Sequence, residues 1–390
     1  MEKAKPKRPK TNQKKKEKDF NNVNEVQAQL LAELSAEDVK QGRSTFLSPL
    51  SIYACVLLLT EGLSGQSRKE CTIFLDALKI KGKLLSQRLA LDFKKLLNSK
   101  SPAFTMANSI WVNKALKLVT RYKNRVQEQH NALVKNIPIN NDGLAQINEW
   151  VSKTTKGLID SILDELTSDT VMVIINAIYF KGTWKTVFKA SNTDPRDFHL
   201  SAEEGDTVEV QMMNQTLKTK YAETKLNRLV VLPFNEDNIQ FVACIPKDET
   251  NFDPLSTFKA TNIQKALKAN VSKKVCLSMP KFKFERSFDV KTLLQKLGLS
   301  NIFSTDENDD FKGIVQGGDA YVSDVIQKSI IELDEKGAKA AAVTAMVLKT
   351  KSAPRPDEII YLNLNRPFAF FLVDGHSKLI LFAGVYRGPK

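Results

Sequence analysis

The sequence predicts an α+β fold, with a helix-rich N-terminal part followed by large, mostly antiparallel sheets. Three observations carry this. Stretches with helical apolar spacing concentrate before residue 154, whereas strand-like runs dominate from residue 171 onward. The longest apolar runs, such as VMVIINAIYF (171–180) and FAFFLV (368–373), have the length of buried strands. Finally, 42% of the 390 residues are hydrophobic, enough to bury a large core.

Residues 1–20 read as a disordered basic tail. Positions 1–18 hold nine Lys or Arg against two Glu, which is half of the chain's net charge of +14. The tail lacks the apolar centre of a secretory signal. A nuclear-import signal, a polyanion contact and a solvated tail without a partner are its three readings. The folded domain is placed at 21–390. Helices are expected at 21–38, 46–65, 67–78, 84–98, 119–132 and 143–154, the second opening on a Ser-Pro turn. Strands are expected at 105–113, 171–182, 208–215, 229–234, 239–246, 275–288, 321–333, 367–373 and 379–386. No run of 18 apolar residues occurs, so neither a membrane span nor a membrane partner is expected.

Motifs for catalysis and metal binding are missing. His130, His199 and His376 have no partner at metal-ligand spacing, and no metal or cofactor is expected. There is no GxSxG elbow, Walker A loop or GxGxxG, so the chain is read as something other than an enzyme. Cys55, Cys71, Cys244 and Cys276 form no CxxC pair, and buried free thiols are the expectation. Lys94, Lys95, Arg121, Lys123 and Arg125 lie on or near expected helices. They form a candidate face for a heparin-like polyanion, with a merely solvated basic face as the alternative.

One stretch resists a simple assignment. EKGAKAAAVTAMVLKTKSAP (335–354) is alanine-rich but carries no helical apolar stripe. As a strand, one face of 338–349 is Ala338, Ala340, Ala342, Thr344, Met346 and Leu348, all uncharged. The other face holds Lys339 and Lys349. The segment then runs into a basic, proline-bearing loop of the exposed kind. It is an exposed loop with the pattern of a buried strand.

Here the chain resembles the serpins, protease inhibitors that trap their targets by loop insertion. The resemblance runs from about residue 25 to 388 and rests on FLSPLSI (46–52), NAIYFKGTW (176–184), LDEKGAKAAAVTA (333–345), NRPFAFFL (365–372) and FAGVY (382–386), in that order. It implies a serpin domain over 21–390 with an exposed reactive-centre loop at about 335–360. Glu335, Gly337, Ala338, Ala340, Ala341 and Ala342 match the hinge, whose small residues fit the inhibitory type, although Ala338 stands where Thr or Ser is usual. Ser48, Ser51, Asn176 and Gln327 match the shutter beneath the opening sheet, with Gln327 where the family often has His. Gln327 is expected to hydrogen-bond with Ser48, Ser51 and Asn176. Trp184 matches the breach tryptophan.

The family's spacing of sixteen residues from the hinge glutamate lands on Lys351, so the reactive bond is expected at Lys351–Ser352. A lysine there suits a trypsin-like serine protease as the covalently trapped partner. The loop beyond Ser352 is longer than usual, and Lys349 and Arg355 lie close by, so a convertase or a cysteine protease is an alternative target. A non-inhibitory serpin-fold binding protein is the other alternative. The resemblance also implies a monomer. Lacking a signal segment, the chain is placed in the cytoplasm or nucleus, or outside the cell if such a segment is missing from this sequence.

Overall fold

A computed structural model describes residues 38, 41–77, 104–235, 239–256, 260–269, 272–307, 309–335, 358–375 and 380–389. The expected helix at 84–98, nearly all of the one at 21–38, and residues 336–357 lie outside this set. Six α-helices are described: α1 (Pro49–Thr60), α2 (Gly65–Ala77), α3 (Thr120–His130), α4 (Asn141–Thr154), α5 (Ala260–Lys268) and α6 (Lys291–Lys296). The strands through the first half are β1 (Thr45–Leu47), β2 (Phe104–Asn113), β3 (Lys117–Leu118), β4 (Leu133–Ile137), β5 (Met172–Phe180), β6 (Thr193–His199), β7 (Thr207–Glu223) and β8 (Asn227–Pro233). They continue as β9 (Ile239–Pro246), β10 (Ser272–Pro280), β11 (Phe282–Asp289), β12 (Val315–Gln316), β13 (Asp324–Leu333), β14 (Ile359–Asn363), β15 (Phe368–Asp374) and β16 (Ile380–Tyr386).

Two large sheets organise these strands. Nine strands form one sheet in the order β1-β16-β15-β9-β8-β7-β10-β14, with β6 also pairing β7. Five form the other, ordered β11-β13-β5-β2-β4. Every residue of β5 is buried, because both faces of the five-stranded sheet are covered. Met172, Ile174, Ile178 and Phe180 face the large core shared with the nine-stranded sheet. Val173, Ile175, Ala177 and Tyr179 face a second core, which α4 closes with Ile147 and Val151. An edge-to-face contact between Trp111 of β2 and Trp150 of α4, 5.7 Å between centroids, helps to fix that helix.

The expected helix at 46–65 divides in two. Residues 45–47 pair with β16 as strand β1, and Ser48 then caps α1, with its side-chain oxygen accepting from the Ser51 N–H. The expected strand at 275–288 also divides. Proline 280 ends β10 in the large sheet, and β11 starts two residues later in the other sheet. All four cysteines are free thiols, with Cys55, Cys71 and Cys244 buried and Cys276 half-buried. Burial pushes the thiols of Cys55, Cys71 and Cys244 up to about 12.

Candidate functional site

The site is the seam between β5 and β13. These neighbours run parallel, in register from Asp324 opposite Val173 to Ile331 opposite Phe180. Their outer neighbours, β2 and β11, are antiparallel to them. β13 ends at Leu333, and residues 336–357 follow it after Asp334 and Glu335. A strand that turned back from the end of β13 would therefore run antiparallel to both sides of the seam, the more stable ladder geometry.

Beneath the middle of the seam lies a small polar cluster inside the apolar core. Gln327 is 1% exposed and sits opposite Asn176 in the ladder. Its amide brackets the backbone of Ser48. The Ser48 N–H donates to Gln327 Oε1 and Gln327 Nε2 donates to the Ser48 carbonyl, both at 3.1 Å. Ser48 Oγ donates to the Leu381 carbonyl of β16 at 2.8 Å, and Ser51 Oγ donates to Ser48 Oγ at 3.0 Å. Four elements thus meet at one capping serine. Asn176 does not join them: its Nδ2 donates to Asn108 Oδ1 at 2.7 Å, and its Oδ1 is buried without a hydrogen-bond partner. The expected contacts of Gln327 are therefore realised with Ser48, reach Ser51 only through Ser48, and do not reach Asn176. Asn176 pairs instead with the residue facing it across the β2–β5 ladder.

The end of the seam that leads to residue 336 is closed by other chemistry. Trp184 Nε1 donates to the Asp334 carbonyl at 2.7 Å, and its ring stacks on Phe234 with centroids 4.3 Å apart. Gly182 lets the chain pass here, since a β-carbon would lie 2.6 Å from the Phe234 ring and 2.7 Å from that of Phe180. Lys181, one residue past β5, forms a short ion pair with Glu332 of β13 and a second with Asp334 at 3.4 Å. Tyr179 donates to Glu332 Oε2 at 3.1 Å. The Phe188 N–H donates to the Glu335 carbonyl at 2.9 Å, and Lys281 lies 3.3 Å from the Glu335 carboxylate. Burial opposes the charge on Glu332, but the hydrogen bonds and charge of Lys181 and Tyr179 outweigh it and hold the carboxyl below its ordinary value. Burial likewise opposes the Lys181 charge, and its two carboxylate partners still raise it.

Sequence reading singled out Ser48, Ser51, Asn176, Trp184, Gln327 and Glu335. It missed Lys181, Glu332, Asp334 and Asn108. The available signal was a set of charges at the ends of two otherwise apolar strands, FKG and IELDE. Gly337, Ala338, Ala340, Ala341, Ala342, Lys351 and Ser352 lie outside the described residues, as do Lys94 and Lys95. Of the remaining basic candidates, Arg121 and Arg125 stand four apart on α3 and so share a face, whereas Lys123 does not. With Arg68 they line a cavity of about 380 Å³. Arg125 is partly tied down by Glu61, 3.5 Å away.

The serpin (serine protease inhibitor) family model matches residues 21–389. An uncharacterized serpin-like protein of Thermococcus kodakarensis is 31% identical over 385 residues, covering 95% of this chain and 85% of that one. Antitrypsin of Bombyx mori is 30% identical over 371 residues, covering 91% of each. Among solved structures, human thyroxine-binding globulin complexed with thyroxine superposes with a TM-score of 0.82 at 23% identity, covering 96% of this chain and 99% of that one. Native protease nexin-1 with heparin superposes with a TM-score of 0.80 at 24% identity, covering 96% and 100%. The capped start of α1, the parallel seam and the stacked Trp184 thus sit in a fold of known type, and this chain belongs to the serpin family of serine protease inhibitors.

Proposed function

We propose that the chain is a suicide-substrate inhibitor of trypsin-like serine proteases, with Lys351–Ser352 as the reactive bond. The observation that carries this reading is the closed parallel seam. β5 and β13 pair directly over eight residues, and the segment that follows β13 has small residues and an uncharged alternate face suited to entering between them. The target's serine attacks the Lys351 carbonyl carbon, the Lys351–Ser352 bond breaks, and the new amine leaves on Ser352. The acylated segment then inserts as a middle strand and carries the protease with it before water completes hydrolysis. Burial of Met346 and Leu348 contributes roughly 1.5–3 kcal/mol each. The fold is therefore held kinetically until the loop is cut. The Bombyx relative's name, antitrypsin, supports the choice of target class. We assign residues 1–20 to a basic tail outside this machinery. The heparin in the protease nexin-1 structure supports the same class of ligand for the Arg68–Arg121–Arg125 cavity and its basic neighbours.

The test is incubation of the full chain with trypsin near equal molar ratio, followed by denaturing electrophoresis and mass spectrometry. A denaturant-resistant band at the summed mass, with the break after Lys351, is the expected result. Lys351→Leu should reduce the rate of trypsin trapping at least tenfold. Clean cleavage without the band would reject trapping of this class of protease.

A further inference from the structure

A sizeable cavity lies away from the seam. It has a volume of about 840 Å³ and separates the ends of β8 and β9 from the edge pair β10–β14. That size matches sites that enclose small organic ligands. Its apolar lining includes Ile245, Phe252, Leu362 and Tyr361. Tyr361 stands on the edge strand β14 and is 71% exposed, the most exposed of the large hydrophobic side chains described.

The polar lining is arranged by depth. Arg228 and Arg366 are half-buried, whereas the carboxylates of Glu203, Glu204 and Glu249 are exposed at the rim, where water screens them. Arg228 stands opposite Glu223 in the β7–β8 ladder and its charge acts on that carboxylate, but its donors are not spent on a hydrogen bond to a described residue. Arg366 spends one nitrogen on the Pro246 carbonyl, 2.7 Å away, and its Nε is buried without a partner. Burial pushes the Arg366 guanidinium below its ordinary value, and the neighbouring Arg228 charge pushes the same way; Glu249 and Asp248 offset this only in part. Two like charges therefore converge on one wall with most of their donors unspent.

We propose that this cavity binds a small amphipathic organic anion, an aromatic carboxylate or sulfonate, with its anionic group between Arg228 and Arg366 and its ring against Tyr361. A planar anion supplies the paired acceptors that guanidinium groups favour. The aromatic body covers the exposed ring. The site is built from the nine-stranded sheet and the loops that leave its strands, and does not rest on the inhibitory reading.

The probe is 1-anilinonaphthalene-8-sulfonate, titrated into the full chain and followed by fluorescence, with uncharged N-phenyl-1-naphthylamine as its twin. Saturable 1:1 binding of the sulfonate is expected, at least tenfold tighter than that of the neutral twin. Arg228→Gln should weaken it at least tenfold and Arg228→Lys by less. Because the Arg228 side chain makes no hydrogen bond with a described residue and only a screened charge contact with Glu223, both variants should melt close to the parent. Tyr361→Ala tests the ring contact independently and should weaken both probes. Absence of saturable binding, equal affinity for the two probes, or unchanged affinity in Arg228→Gln would each overturn the proposal.

Discussion

At its middle the β5–β13 seam is flanked by uncharged groups sealed from water, which tie β13 to Ser48 and β5 to β2, while at the end facing residue 336 it is bridged by charges near the surface. Gln327, Ser48, Ser51 and Asn176 are each 1% exposed or less. The side chains of Lys181, Glu332 and Asp334 keep between 22% and 31% of their exposure. The middle therefore resists separation mainly through the penalty of unpairing buried hydrogen-bonding groups, which does not titrate. The open end resists through ion pairs, which acid and salt weaken. A seam that separates from one end needs its reversible fastening at that end, and the molecule places the titratable one there.

The largest effect should come from removing the middle fastening. Gln327→Ala leaves the Ser48 N–H buried without its partner, at about 1–3 kcal/mol, while the Ser48 carbonyl keeps the N–H groups of Ser51 and Ile52. Urea unfolding should show the native transition moved to markedly lower concentration, by a similar amount at pH 7 and pH 4. An unmoved transition would show that the bracket holds nothing.

Trp184→Phe comes next. The ring stack on Phe234 is largely kept, but the hydrogen bond to the Asp334 carbonyl is lost, at about 1 kcal/mol. The same urea transition should shift by roughly half as much as in Gln327→Ala. An unmoved transition would show that the Trp184 hydrogen bond does not help to close this end.

The smallest effect belongs to the ion pairs. Glu332→Gln should cost at most about 1 kcal/mol at pH 7, as for pairs near a surface. Its pH dependence is more telling. The folded Glu332 titrates below its ordinary value of 4.5, so its contribution is present above that value and fades as the pH falls through the lowered one. Lys181 titrates above its ordinary 10.5, so its half of the pair is complete below that value and lost as the pH rises through the raised one. The parent should lose stability below pH 4.5 more steeply than Glu332→Gln. Parallel curves would exclude Glu332 as the acid-sensitive fastening.

How much of this was legible depended on whether each signal was local. β5 and β15 announce themselves because both faces are buried and their sequences are continuous apolar runs. β6 escaped notice: in TDPRDFH only Phe198 is buried, and Pro195 is tolerated because β6 pairs on one side alone. Ser48 as a helix cap was readable from Ser-Pro. That Asn176 prefers Asn108 to Gln327 was not, because the two neighbours flank β5 on opposite sides and the choice between them depends on three-dimensional packing. The Lys181–Glu332 pair joins residues 151 apart in sequence, and nothing in either neighbourhood names the other.

The pairing of β1 with β16 also orders events in time. Thr45, Phe46 and Leu47 find their partners in Val385, Gly384 and Ala383, and Ser48 is tied to Leu381. Ser44 holds the far terminus too, donating to the Gly388 carbonyl at 2.7 Å and accepting from the Arg387 N–H at 2.9 Å. During vectorial synthesis, at about 5–20 residues per second, these N-terminal residues wait on the order of 20–70 s for their partners to be made. The helix that Ser48 caps cannot be tied to β16 until residue 381 has been made. Until then the nascent chain holds its longest-range contacts unmade, and loss of residues 387–390 alone removes the tether of Ser44, whereas that of Ser48 needs Leu381.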